Sequence, residues 1–241
     1  MARSPAFERY ARDSTLVLGG GAAILLQVAD PVVGRGVASH SAFADDPMRR
    51  LRHTLAYVYA IGVGSPQQIR AAAGFVDRAH AGVPGATDPA RQLWVAATLY
   101  RVGVQVHELL HGPLEEHLAD EVYTASALLG TALQVPAGAW PADRSAFEAY
   151  WADAVAGLQV GDDARRVARD LLHPRRVPVW VRAGMPLGRT LTAGLLPASV
   201  RDAYRLPDRP HAFRRAVRVA RVATAVTPRR LREEPSRRLL S

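Results

Sequence analysis

The sequence predicts an all-α fold, a single compact multi-helix domain, and three observations predict it. Proline and glycine punctuate the chain at intervals that suit helices, helix-start signals recur just ahead of the apolar runs, and alternating apolar/polar strands are hard to find. A length of 241 residues with 49% apolar content provides a substantial core for one domain. No internal repeat or linker divides the chain. Residues 1–235 therefore read as one helical domain and 236–241 as a C-terminal tail, with the last dozen residues expected to fray.

The elements follow in order. The apolar run "LVLGGGAAILLQVA" is shorter than the roughly 20 residues that span a bilayer, and it reads as a buried, glycine-rich helix. Asp46-Pro47 opens a helix to about Gly62. Ser65-Pro66-Gln67-Gln68 is a capping box with proline at the first helical position, and its helix runs to about Ala81. Asp88-Pro89 opens a long helix that Gly112-Pro113 breaks, and Pro113 starts the next. Ser145-Ala146-Phe147-Glu148 reads as another capping box. Shorter helices are expected at about 162–172, 178–195 and 198–205, and a basic amphipathic helix near 209–226 closes the domain.

Composition excludes some chemistry. The chain has no cysteine, so disulfides, thiolate metal sites and cysteine nucleophiles are ruled out. Its net charge is +9, and every basic residue other than histidine is arginine. The arginine-rich C-terminal end has few aromatic residues for base stacking and no RNA-binding signature, so no nucleic-acid partner is expected. "GGG" at 19–21 lacks the phosphate-loop lysine, and there is no G-x-S-x-G elbow. Trp94, Trp140, Trp151 and Trp180 read as core anchors. No targeting or transmembrane segment is evident, so a cytoplasmic setting is expected, with peripheral membrane contact left open.

Two motifs compete for function. His107-Glu108-Leu109-Leu110-His111 spells H-E-x-x-H, with His117 at the spacing of a third ligand. In a zinc metallohydrolase the two histidines would share a helix face, and Glu108 would activate a bound water. The long form of that signature has a turn glycine where this chain has Leu114. A polar helix end with no metal is the plainer reading.

The other motif is a histidine on an apolar face. Ile69, Ala73, Val76, His80 and Val83 form one stripe, with Arg70, Asp77 and Arg78 on the other side. His80 therefore points inward, as a satisfied core histidine does, or as an axial ligand to a metal or haem iron does. On the preceding helix Arg50, Thr54, Tyr57 and Ile61 share a stripe, with His53 beside it. The tight Gly64-Ser65 turn makes the two helices antiparallel, so Arg50, Thr54, His53 and His80 are expected at similar heights. A buried arginine there needs an anion, which a haem propionate or a buried carboxylate would supply equally well.

In these residues and in the order of "LLQVADPVVGRGVASHSAFADDPMRRLRHTL", "VDRAHAGVPG", "DPARQLWVAATL", "GPLEEHLADEVY" and "TAGLLPASVRDAYRLP", the chain resembles the MpaB-type oxygenases. These share their catalytic domain with the latex-clearing rubber oxygenases. The resemblance covers roughly residues 7–235. It implies a helical domain enclosing a pocket for haem b, with molecular oxygen as co-substrate and an apolar, unsaturated, isoprenoid-like small molecule cleaved at a C=C bond to carbonyl products. It implies that His80 is the proximal iron ligand and that Arg50 and Thr54 lie near the haem. His53 stands where the rubber enzymes carry a distal lysine. Ala96 stands where many relatives have histidine, and the gap between Gly85 and Asp88 is short. A non-catalytic interaction protein that kept the fold and lost the cofactor is the remaining alternative.

Overall fold

The structure is a computed structural model and describes residues 3–40, 47–175 and 177–240. The elements in order are α1 (Pro5–Arg12), a 3-10 helix (Ser14–Gly19), α2 (Gly20–Val28), α3 (Pro31–His40), α4 (Pro47–Val63), α5 (Pro66–His80) and α6 (Pro89–His111). There follow α7 (Glu116–Ser126), α8 (Leu128–Thr131), a short 3-10 helix (Ala137–Ala139), α9 (Arg144–Ala156), α10 (Asp162–Leu172) and α11 (Val179–Leu195). The last three are α12 (Ala198–Ala203), α13 (Pro210–Val226) and α14 (Arg229–Leu240). No strand occurs among the described residues.

Helix α2 is the centre of the core and packs against α3, α6, α10 and α11. Glycines at the junction of the 3-10 helix and α2 permit this. A Cβ on Gly19 would lie 2.3 Å from Val102 of α6, and one on Gly21 would lie 2.3 Å from Thr192 of α11. Leu25, Leu26 and Ala29 are fully enclosed. Two of the carbonyls in this region gain side-chain donors: Trp94 Nε1 donates to Leu26 O at 3.1 Å and the Tyr204 hydroxyl to Leu25 O at 2.7 Å. From Gly20 the glycine-rich run is a buried helix, as its composition predicts, while its first residues belong to the 3-10 helix. No single helix among the described residues is long and apolar enough to cross a membrane. The one pair that passes by length and composition, Ser14–Val28 with Pro31–Ser39, is bent by 111°.

Local signals placed most helix starts. The Ser65 box closes in both directions, Gln68 N donating to Ser65 Oγ at 3.2 Å and Ser65 N to Gln68 Oε1 at 2.8 Å. Asp88 accepts from Ala90 N at 2.9 Å and Arg91 N at 3.2 Å. Asp46 lies outside the described residues, so the opening of α4 is seen only from Pro47 onward.

Four expectations are corrected. Helix α7 starts at Glu116 rather than Pro113, because the chain leaves α6 through Gly112 at φ 95° and needs three residues to turn. The cap of α9 is Asp143, not Ser145, its carboxylate accepting from Ala146 N at 2.8 Å. Residues 236–240, read as a tail, belong to α14, which packs on α4 and buries Glu233 and Ser236. Trp180 is 70% exposed, whereas Trp94 and Trp140 are buried core anchors and Trp151 packs against Trp94.

Candidate functional site

The site is built on the α4–α5 hairpin. Along α5, Ala73 is buried, Ile69, Val76 and His80 are half-buried, and Arg70 and Arg78 are exposed. The His80 Nδ1 is enclosed and has no hydrogen-bond partner among the described residues. Burial lowers the His80 pKa below its usual value, the Arg50 charge pushes it the same way, and Asp77 opposes both. The ring is therefore neutral at pH 7, with a lone pair to offer. Arg50 acts on His80 because the start of α4 lies beside the end of α5, the antiparallel arrangement that the tight turn predicts. Burial also lowers the Arg50 pKa, yet a guanidinium remains charged.

The other two expected site residues are exposed. Thr54 is exposed, and its hydroxyl donates back to Arg50 O at 3.1 Å. His53 is exposed and meets Phe75 edge-on, ring centroids 4.8 Å apart at 68°. The structure thus brings Arg50 and His80 together, while His53 packs on Phe75 at the exposed edge of the hairpin and Thr54 stands exposed one turn beyond Arg50. Ala96 is 1% exposed, and its Cβ is 3.5 Å from where a Gly130 Cβ would stand. Helix packing fills that position, and an imidazole there would clash.

Sequence reasoning missed what holds this hairpin in place. Gln134 Nε2 donates to Asp77 Oδ1 at 2.8 Å. Gln134 is itself bound to the buried Gln92, whose Oε1 accepts from Gln134 N at 2.9 Å and whose Nε2 donates to Ala86 O at 3.0 Å. The chain of amides fixes Asp77, one turn before His80, and closes the short 81–88 turn. The available signal was Gln92, a polar side chain on the apolar face of α6. From α4, the Tyr57 hydroxyl donates to Leu129 O at 2.8 Å.

The H-E-x-x-H segment has a different structural role. His107 and His111 do lie side by side, centroids 4.8 Å apart and rings tilted at 39°. His111 Nε2 instead contacts Asp13 Oδ2 at 3.2 Å, and Arg232 of α14 binds the same oxygen. Tyr10 packs on His107, with ring centroids 5.2 Å apart. Glu108 is exposed, and His117 has moved on to α7. Burial chiefly, helped by the His111 charge and opposed by Asp13, depresses the His107 pKa to about 4. No group of three or more His, Cys, Asp or Glu among the described residues could hold a metal ion. The zinc-hydrolase alternative therefore lacks its ligand set.

A helical domain that sets a neutral, inward histidine beside a half-buried arginine is a framework for holding an acidic or metal-bearing group. The chain belongs to the family described as ER-bound oxygenase mpaB/B'/rubber oxygenase, catalytic domain, which matches residues 8–227. It is similar to uncharacterised proteins of Mycobacterium tuberculosis and Mycobacterium bovis. Each is 35% identical over 224 residues, covering 86% of this chain and 88% of the relative. No solved structure matches it.

Proposed function

We propose that this protein is a haem b-dependent oxygenase that cleaves a C=C bond of an apolar, isoprenoid-like small molecule into two carbonyl groups. The observation that carries the reading is His80: a neutral imidazole with an enclosed, unpartnered nitrogen, held beside Arg50 at the end of α5. Membership of an oxygenase family supports the reaction class. These residues fit the cofactor. His80 would offer its lone pair to the iron, and Arg50 carries a charge that would suit a propionate. Ile69 and Val76, on the His80 face of α5, offer apolar surface to a porphyrin and a hydrocarbon alike. When bound, haem supplies iron for oxygen binding and activation.

The protein's own part is to position and to exclude water. Arg50, Thr54 and His53 are assigned to steering dioxygen toward the double bond; for Thr54 this means releasing its bond to Arg50 O. One dioxygen is consumed per double bond, and each carbonyl receives one of its oxygen atoms.

Purified protein supplied with haem should show a Soret band, and iron should exceed zinc. Incubation with terpenoid alkenes under labelled oxygen should place label in both carbonyl fragments. Label in a single hydroxyl or epoxide would keep the oxygenase and reject cleavage. Protein that stays colourless after haem reconstitution would point to an interaction protein on the same fold.

A further inference from the structure

Two helices carry apolar side chains that the core does not use. On α13, Ala216, Val217, Ala220 and Thr224 are buried, while Val219, Val222 and Val226 are 58%, 64% and 73% exposed. The three valines recur at i, i+3 and i+7, so they form a second apolar stripe on the solvent side of the helix. At the start of α11, Val179 and Trp180 are 71% and 70% exposed.

Both features lie at one end of the molecule. The Phe213 ring fills the place of a Gly194 side chain, and Leu191 packs with Ala216 and Val217. Residue numbers fall along α11 as they rise along α13, so the pair is antiparallel. At about 1.5 Å rise per residue, Val179 and Trp180 stand level with the last turn of α13.

Charge is segregated to the same helices. Residues 171–200 contain four arginines and no acid, and residues 209–232 contain eight arginines and no acid. The remaining 19 arginines face all 22 acids, so the rest of the chain is net negative. Arg175, Arg182, Arg215, Arg218 and Arg230 have no ion pair among the described residues. Exposed aliphatic side chains with one tryptophan, set among unpaired arginines, match the two layers of an anionic lipid surface: acyl boundary below, phosphate above. A nucleic acid would be met by stacking aromatics, and this face offers only Trp180.

We infer that the α11–α13 end docks this protein on an anionic phospholipid bilayer, with Val179, Trp180 and the valines of α13 entering the interface and the arginines pairing lipid phosphates. This surface stands whatever chemistry His80 supports. The test is flotation of the purified full-length protein with phosphatidylcholine vesicles, with and without phosphatidylglycerol. A duplex oligonucleotide serves as competitor, and tryptophan fluorescence is read in parallel. The protein should float with the anionic vesicles and not with the neutral ones. Its emission should shift to the blue, and Trp180→Phe should remove that shift. Trp180→Ser with Val222→Ser, and separately Arg215→Gln with Arg218→Gln, should each weaken partition at least about fivefold. These side chains are exposed, so thermal unfolding should not move. Equal binding to neutral and anionic vesicles, or no binding to either, would overturn the inference. So would binding that both variant pairs leave unchanged, or oligonucleotide binding that those variants abolish in place of vesicle binding.

Discussion

At residue scale, His80 and His107 are both neutral histidines, and their variants separate two roles. His80→Ala should abolish the haem absorption band or change its spin state, with no cysteine available to replace it as ligand. Arg50→Ala should weaken haem retention less severely, and His107→Ala should leave the spectrum unchanged. Titration of a haem-loaded sample should show ligation lost in acid, where protons compete with iron for the His80 lone pair, below the already lowered pKa of the metal-free ring. His107 predicts a separate acid effect. Its folded pKa of about 4 lies below the unfolded 6.5, so between these values the unfolded chain holds a proton that the folded one does not. Stability should therefore rise with pH across that window, and His107→Gln should flatten this part of a urea-unfolding series. His80 was legible because its period put one imidazole on an apolar stripe. The exposure of His53 and Thr54 was not, because His53 sits at the edge of the α4 stripe and the stripe itself does not tell how far α5 covers Thr54. Side-chain contacts, such as the one with Phe75, decide which way such residues face.

At element scale, the helices were readable wherever their caps are local. Ser65→Ala should cost about 1 kcal/mol of stability, since it breaks one side of a closed capping box. Helix α14 was not readable, because its anchor is distant in sequence. Arg232 binds Asp13, a carboxylate only 8% exposed that also caps the Ser14–Gly19 helix and contacts His111. Arg232→Ala leaves that carboxylate short of a cation and should cost about 3 kcal/mol, measured by urea unfolding at neutral pH. The same distance explains the misleading H-E-x-x-H letters. A motif read along one helix carries no record of the aspartate and arginine that arrive from the two ends of the chain.

At the scale of the whole molecule, the architecture was legible because proline, glycine and caps mark nearly every boundary. The exception is Trp180, whose aromatic bulk suggested a core position that its place at a helix start denies it. Oxygen uptake should appear with unsaturated terpenoids and be absent with their saturated analogues, as an oxygen electrode would show. The tie between Asp13 and Arg232 also sets a schedule. The two residues are 219 positions apart, so a ribosome delivers Asp13 roughly 10–45 s before its guanidinium partner. During that interval the Asp13 carboxylate lacks its guanidinium partner, so its burial is disfavoured. Closure of the domain therefore waits until Arg232 has been synthesised. A message truncated before codon 232 should yield a product whose first helices a protease cuts readily.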